Sequence, residues 1–243
     1  MQETYPYETR CCFADVPVLV RHTYDYFPRF CRDYLTDQPP ELTLTVTPEN
    51  IALERSRAEE CFPDFMLEST AVFRLFCQAV ATRGILMLHA CTVEADGRAY
   101  AFVAPSGTGK STHATLWLQL LGRQRARILN GDKPLLRVEE DGRTTAYGTP
   151  WSGKERWHVA ASAPLAGICL LDRGEKNSIR RLSFPEAIPH LIAEAYRTET
   201  AEGASAVMDS LVRLAGAVPV YALACNISEE AARLSYETMS GQH

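Results

Sequence analysis

The sequence predicts an α/β fold with a mixed sheet and β-hairpins, preceded by a small β-rich N-terminal region. Three observations predict it. Short apolar runs of strand length alternate with stretches of helical periodicity, two Asp-Gly pairs lie between strand-like runs, and a glycine-rich loop separates a strand from a helix.

Residues 1–64 read as the β-rich subregion, with an aromatic-rich opening, a break at Gln38-Pro39-Pro40, and an alternating run from Leu42 to Thr47 that fits a half-buried strand. The second domain is expected over 65–243. Apolar residues at helical spacing (Met66, Ala71, Phe73, Phe76, Val80) predict a helix from Phe65 to Arg83, with Gly84 as its stop. A strand from Ile85 to Glu94, a turn at Asp96-Gly97 and a strand from Ala99 to Val103 form one hairpin. Leu135–Glu139, Asp141-Gly142 and Arg143–Tyr147 form another. Pro164 to Leu171 reads as a buried strand, and Ser183 with Glu186 as a capping box for a helix toward Tyr196 that Pro189 should kink or delay. A helix over Ala204–Ala215, a strand over Val218–Ala224 and a Ser228-capped helix complete the chain.

Composition narrows the function classes. The 243 residues are 46% hydrophobic and 23% charged, which describes a globular protein able to bury a sizeable core. Asp and Glu outnumber Lys and Arg, 30 to 25, and no basic run exceeds two residues, so a nucleic-acid surface is not expected. The longest apolar stretches, such as Ala163 to Leu171, fall far below the roughly 18 to 20 residues of a membrane helix. The first residues carry neither a basic nor an apolar signal region, which makes the cytoplasm the expected address. Eight cysteines without a C-x-x-C pair, mostly inside apolar runs, are expected to be free thiols.

The chemistry concentrates in Ala104-Pro105-Ser106-Gly107-Thr108-Gly109-Lys110-Ser111-Thr112. Between a strand and a helix, such a loop turns backbone N–H groups onto a phosphate, and the helix N-terminus adds its positive dipole end. Ser106, Gly107, Thr108, Gly109, Lys110, Ser111 and Thr112 are thus the candidate nucleotide contacts, with Lys110 on the outer phosphates and the Ser111 hydroxyl on magnesium. Ala104 stands where G-x-x-x-x-G-K-[ST] has its first glycine. Asp132, in Asn130-Gly131-Asp132-Lys133, is the candidate second magnesium ligand, an aspartate at the end of a neighbouring strand. The loop Gly148 to Glu155, with an exposed-looking Trp151, supplies candidate acceptor contacts in Trp151, Gly153, Lys154 and Glu155. The chain has only four lysines, and Lys110, Lys133 and Lys154 all fall in these loops.

His89 through Ser111 resembles the catalytic core of HPr kinase/phosphorylase and of the ATP-dependent phosphoenolpyruvate carboxykinases, which share a P-loop fold. His89 precedes a hairpin and Ser106-Gly107-Thr108-Gly109-Lys110-Ser111, as a histidine does in HPr kinases. The resemblance implies an HPr kinase-like core, ATP and Mg²⁺ as cofactors, and a His89 beside the transferring phosphoryl group. The chain departs from both families at Gly131, where they carry the first of two aspartates, the one suggested as general base in the kinase. The Glu-Ile-Arg-Gly motif of HPr kinases is also absent. HPr is therefore not favoured as substrate.

The expectation is an Mg²⁺-dependent ATP phosphotransferase with His89, Lys110, Asp132 and Lys154 in catalysis. Its acceptor would be a hydroxyl of a small molecule or of a peptide Ser or Thr, since similar stand-alone domains are associated with phosphorylation of ribosomally made peptides. The alternative is a regulatory module that holds ATP or a phosphorylated ligand without transfer. HPr kinases assemble as hexamers, so a homo-oligomer is compatible with the resemblance.

Overall fold

The computed structural model describes residues 5–241, an α/β protein with seven α-helices and a mixed, curled sheet, divided into two compact units, Met1–Val80 and Ala81–His243. No helix among the described residues is long and apolar enough to cross a membrane.

In the first unit, β1 (Tyr7–Phe13) and β2 (Val16–His22) form an antiparallel hairpin. Its turn residues Ala14 and Asp15 both take positive φ, 48° and 58°, the twist that suits a two-residue connection. Helix α1 (Tyr26–Phe30) follows, and β3 (Leu42–Thr45) then pairs with β2 in parallel. Helix α2 (Pro48–Arg57) begins at a capping box between Thr47 and Asn50. Helix α3 (Asp64–Val80) buries Leu67, Ala71, Val72, Phe76 and Val80.

Two expectations are corrected here. The opening region is not simply β-rich, because it holds α1 and α2. The first is too short to show a period, and the second is polar enough to lack an apolar stripe. The division between units falls after α3 rather than before it. Glu54 of α2 pairs with Arg74 of α3, and the Glu68 carboxylate of α3 accepts from Thr23 N at 2.6 Å and Tyr24 N at 3.0 Å, which ties α3 to the segment after β2.

The second unit opens with β4 (Ile85–Met87), β5 (Ala90–Ala95) and β6 (Arg98–Val103), followed by α4 (Lys110–Leu121), β7 (Ala126–Asn130), β8 (Leu135–Val138), β9 (Thr144–Tyr147) and β10 (Ser162–Arg173). Then come β11 (Ser178–Arg181), α5 (Phe184–Glu194), α6 (Ala201–Ala217), β12 (Val220–Cys225) and α7 (Glu229–Ser240). The nine strands run β4-β8-β9-β10-β6-β5-β7, with β12 on the other edge of β10 and β11 beyond it. Strand β10 is longer than the sequence suggests because it serves two neighbourhoods. Ser162–Pro164 pair with β9, and the rest lies between β6 and β12, parallel to both.

Alternation along the strands divides the core between two sheet faces. Tyr100 and Phe102 of β6 lie with Trp117 of α4 and Tyr236 of α7 on one face, where the fully buried Trp117 ring sits 5.1 Å from both β6 rings. Ala101 and Val103 face Leu191 of α5 and Leu211 and Leu214 of α6 on the other. Replacing Trp117 by Ala would remove the centre of the first cluster at a cost of about 3–5 kcal/mol.

The expected strand Ile85–Glu94 is broken in two, since Leu88 and His89 leave the sheet to meet the end of α5. His89 N donates to Glu194 O at 2.8 Å, Leu88 bridges Ala195, and Tyr196 N donates to Met87 O at 3.0 Å. Helix α5 keeps its capping box and runs through Pro189, but stops at Glu194 because the following residues pair with 87–89.

Candidate functional site

Strands β6, β10 and β12 are parallel, and β7 points the same way because it and β6 are both antiparallel to β5. Their carboxyl ends, together with the start of β5, therefore lie along one edge, where α/β sheets place ligands.

The glycine loop leaves β6 at that edge. Gly107 and Gly109 have φ of 78° and 120°, conformations that side chains rarely adopt, and Gly109 caps α4. The first N–H groups of α4 thus face the loop without intrahelical acceptors. Lys110 folds back and donates through Nζ to Ala104 O at 2.6 Å, and the side chain is buried. Burial draws the ammonium below its ordinary pKa, while the charges of Glu194 and Asp132 oppose that shift.

Those two carboxylates flank His89. Nδ1 lies 2.8 Å from Glu194 Oε2 and Nε2 lies 3.2 Å from Asp132 Oδ1. The hydrogen bond with Asp132 is the main cause that raises the imidazole pKa, with Glu194 adding to it against burial and the Lys110 charge. Burial acts to raise the Asp132 carboxyl, but hydrogen bonds and charge from His89 and Lys133 outweigh it and hold Asp132 well below the carboxylate range. The Lys133 ammonium pairs with the second Asp132 oxygen.

The strand-end aspartate is held by Asn130, a residue that the sequence reading did not single out. Fully buried, its Oδ1 accepts from Asp132 N at 2.8 Å and Lys133 N at 2.7 Å, while its Nδ2 donates to Thr149 O at 3.0 Å and Thr149 Oγ1 at 2.9 Å. One amide thus pins the loop 130–133 to the loop after β9. Its signal in sequence was available: asparagine before Gly-Asp is a turn former that bonds its own following backbone. Glu194 had no such signal, lying 105 residues from His89.

Lys110, His89 and Asp132 are therefore brought together. Gly153 packs on Asp132, since a Cβ there would lie 3.1 Å from the Asp132 Cβ. Glu155 acts electrostatically on Cys91, as do Lys110 and Asp132, which places it near the cluster. Lys154 is exposed on the turn 153–156, and the ion pairs of the cluster among the described residues are made by His89, Asp132, Glu194 and Lys133. Trp151 corrects the expectation of an exposed ring: it is 8% exposed, and the accessible indole is that of Trp157, at 36%. The ring turns inward because Thr149 Oγ1 and Asn130 hold the Trp151 carbonyl.

At Gly131 a Cβ would stand 2.9 Å from Ser152 O, and Gly131 N donates to Trp157 O at 2.8 Å. The backbone leaves no place for the additional aspartate.

On the other side of the glycine loop a cleft of about 710 Å³ opens between α4 and the ends of β10 and β12. Thr112, Leu116, Asp172, Arg173, Asn226 and Ile227 are among its walls, and the Arg173 guanidinium donates to Gly107 O at 2.7 Å. His89, Asp132 and Glu194 do not line it, so this cleft and the titratable cluster are separate neighbours of one loop.

No three histidine, cysteine, aspartate or glutamate side chains among the described residues converge as a metal cage. The Asp132 carboxylate and the Ser111 hydroxyl are donors of the type that suits magnesium shared with phosphate. The ionised state of Asp132 and the position of Ser111 in the first turn of α4 fit that group.

The family model for SynChlorMet cassette protein ScmC matches residues 64–231. The chain belongs to the ScmC family. The match takes in α3, the glycine loop and the whole His89 cluster. A solved structure, the Hpr(Ser) kinase/phosphatase from Coxiella burnetii, is similar over 64% of this chain and 93% of that one, with 13% identity and a TM-score of 0.35. No curated protein matches.

Proposed function

We propose that this protein is an Mg²⁺-dependent phosphotransferase that moves the γ-phosphoryl group of ATP to a hydroxyl of a small molecule or of a peptide Ser or Thr. The observation that carries the reading is the junction of a glycine loop and helix start, suited to phosphate, with a buried lysine and a His–Asp pair at the same sheet edge.

In this reading, residues 106–112 cradle the phosphates, and Lys110 neutralises charge that develops on the transferred group. The nucleoside lies in the cleft beyond Gly107, which leaves the outer phosphates toward His89. Ser111 and Asp132 would hold Mg²⁺, which would supply charge neutralisation to the phosphates. His89 assists deprotonation of the acceptor. Both ring nitrogens face carboxylates, Nδ1 that of Glu194 and Nε2 that of Asp132, so the imidazolium formed when Nε2 takes the acceptor's proton is stabilised on both sides. Glu155 and Gly153 border the space where an acceptor would approach Asp132.

A second reading, a module that binds nucleotide without transfer, is favoured by Gly131, where the general-base aspartate of the resembling kinases has no room. Calorimetric titration of ATP, ADP and pyrophosphate, with and without Mg²⁺, on the unmodified chain and on Lys110→Ala tests both. Magnesium-dependent ATP binding that Lys110→Ala abolishes is expected. Stoichiometric ADP release with a hydroxyl acceptor then supports the transferase, and binding without release supports the module. Absence of binding to all three ligands overturns both.

A further inference from the structure

We propose that Glu194 is the positioning residue that fixes the His89 ring for the reaction. The proposal rests on the phosphotransferase reading and adds to it a residue from a distant helix. Glu194 holds His89 twice: its carbonyl accepts from His89 N at 2.8 Å, and its carboxylate meets His89 Nδ1 at 2.8 Å. A carboxylate accepts, so Nδ1 carries a hydrogen toward Glu194, and the ring's other nitrogen, Nε2, is the one turned toward Asp132. Rotation of the ring about its bond to the backbone would break the Nδ1 contact. Displacement of the backbone would break the carbonyl contact and the neighbouring pairings of Leu88 with Ala195 and of Tyr196 N with Met87 O. Helix α5 thus ends where its last carboxylate reaches the gap between β4 and β5, which accounts for the break in the strand at Leu88 and His89.

The same carboxylate lies within electrostatic reach of Lys110. A charge at this place therefore acts on both groups that flank the transferring phosphoryl, without having to touch it. A positioning role predicts loss of turnover with ATP binding retained, whereas a merely structural role predicts loss of stability alone.

The test compares Glu194→Ala and Glu194→Gln with Glu186→Gln, which weakens the cap at the opposite end of α5. Turnover is read with ATP and a hydroxyl acceptor. The His89 ring is read by ¹H–¹⁵N NMR on the full chain without nucleotide. We expect kcat to fall about 10- to 100-fold in Glu194→Ala, with KM for ATP within about twofold. The Nδ1 proton of His89 is slowly exchanging and downfield in the unmodified chain and is lost in Glu194→Ala. Glu194→Gln retains an acceptor oxygen and falls between. Glu186→Gln lowers the unfolding midpoint but keeps both kcat and the Nδ1 signal.

An unchanged Nδ1 signal in both Glu194 variants overturns the positioning role. So does a kcat loss in Glu186→Gln equal to that in Glu194→Ala. Should Glu194→Ala fail to fold, Glu194→Gln carries both readouts. Should the unmodified chain show no turnover with any acceptor, the phosphotransferase reading falls, while the NMR comparison still decides whether Glu194 holds the ring.

Discussion

Each unit of the chain contains a histidine beside a glutamate, and the two surroundings differ in kind. In the first, His22 is fully buried under the Tyr7 and Phe27 rings. Its Nδ1 donates to Tyr24 O at 3.0 Å, so Nε2 is left to accept from Thr9 Oγ1 at 2.8 Å. Glu68 stands 3.9 Å from Nδ1 with its oxygens already taken by Thr23 N and Tyr24 N. The ring is neutral, satisfied and closed to solvent, and burial is the leading cause of its lowered pKa. In the second unit, His89 is about one-third exposed, bridges two carboxylates and has its pKa raised. The two histidines differ in what their nitrogens face, not in whether an acid is near.

The largest expected effect separates the two directly. His89→Ala should lower phosphoryl transfer by about 10²- to 10⁴-fold, the usual contribution of a positioned acid or base, with ATP affinity spared. Single-turnover kinetics with a calorimetric ATP titration would show it. Transfer unchanged by the substitution would return His89 to the class of His22.

The next effect lies in the first unit and is one of stability. Glu68→Ala orphans two backbone N–H groups beside a buried ring and should cost about 3 kcal/mol, visible as a lower urea midpoint. A loss below about 1 kcal/mol would mean that water replaces the carboxylate, and the cluster would not be closed as described.

How far this contrast could be seen in sequence differs between its parts. The glycine loop, both hairpins and the capped helices α5 and α7 were legible because each is set by neighbouring residues: Asp96-Gly97, Asp141-Gly142, Ser183 with Glu186, and Ser228. The meeting of Lys110 and Asp132 was legible from the glycine loop and a strand-end aspartate, and the place of His89 beside them through resemblance alone. Three features were not legible. The break at Leu88 and His89 depends on pairing with residues 194–196, the inward turn of Trp151 depends on Asn130, and the partition of α3 depends on Glu54 and Glu68. Each is a tertiary contact with no imprint on local periodicity.

A smaller effect tests whether the second cluster can accept the carboxylate that the resembling kinases carry. Gly131→Asp would drive a Cβ to within 2.9 Å of Ser152 O, a backbone atom with no rotamer to yield. We expect a loss of about 2 kcal/mol, in the range of overpacked cores, and no gain in transfer. A thermal melt with a transfer assay checks both, and faster transfer would show that the loop can open around a second aspartate.

The smallest expected effect is a difference in sign. A buried neutral histidine such as His22 binds its proton less readily folded than unfolded, so its contribution is lost as pH falls below the ordinary 6.5. His89 binds its proton more readily folded, so its contribution is complete below 6.5 and is lost as pH rises through its raised pKa. Each group can change the slope of stability with pH by at most about 1.4 kcal/mol per unit. Urea midpoints for His22→Gln and His89→Gln across pH 5 to 9 should therefore depart from the unmodified slope on opposite sides, acid for the first and alkaline for the second. Both departing on the acid side would mean that His89 is neutral at rest, and that its carboxylates orient the ring without charging it.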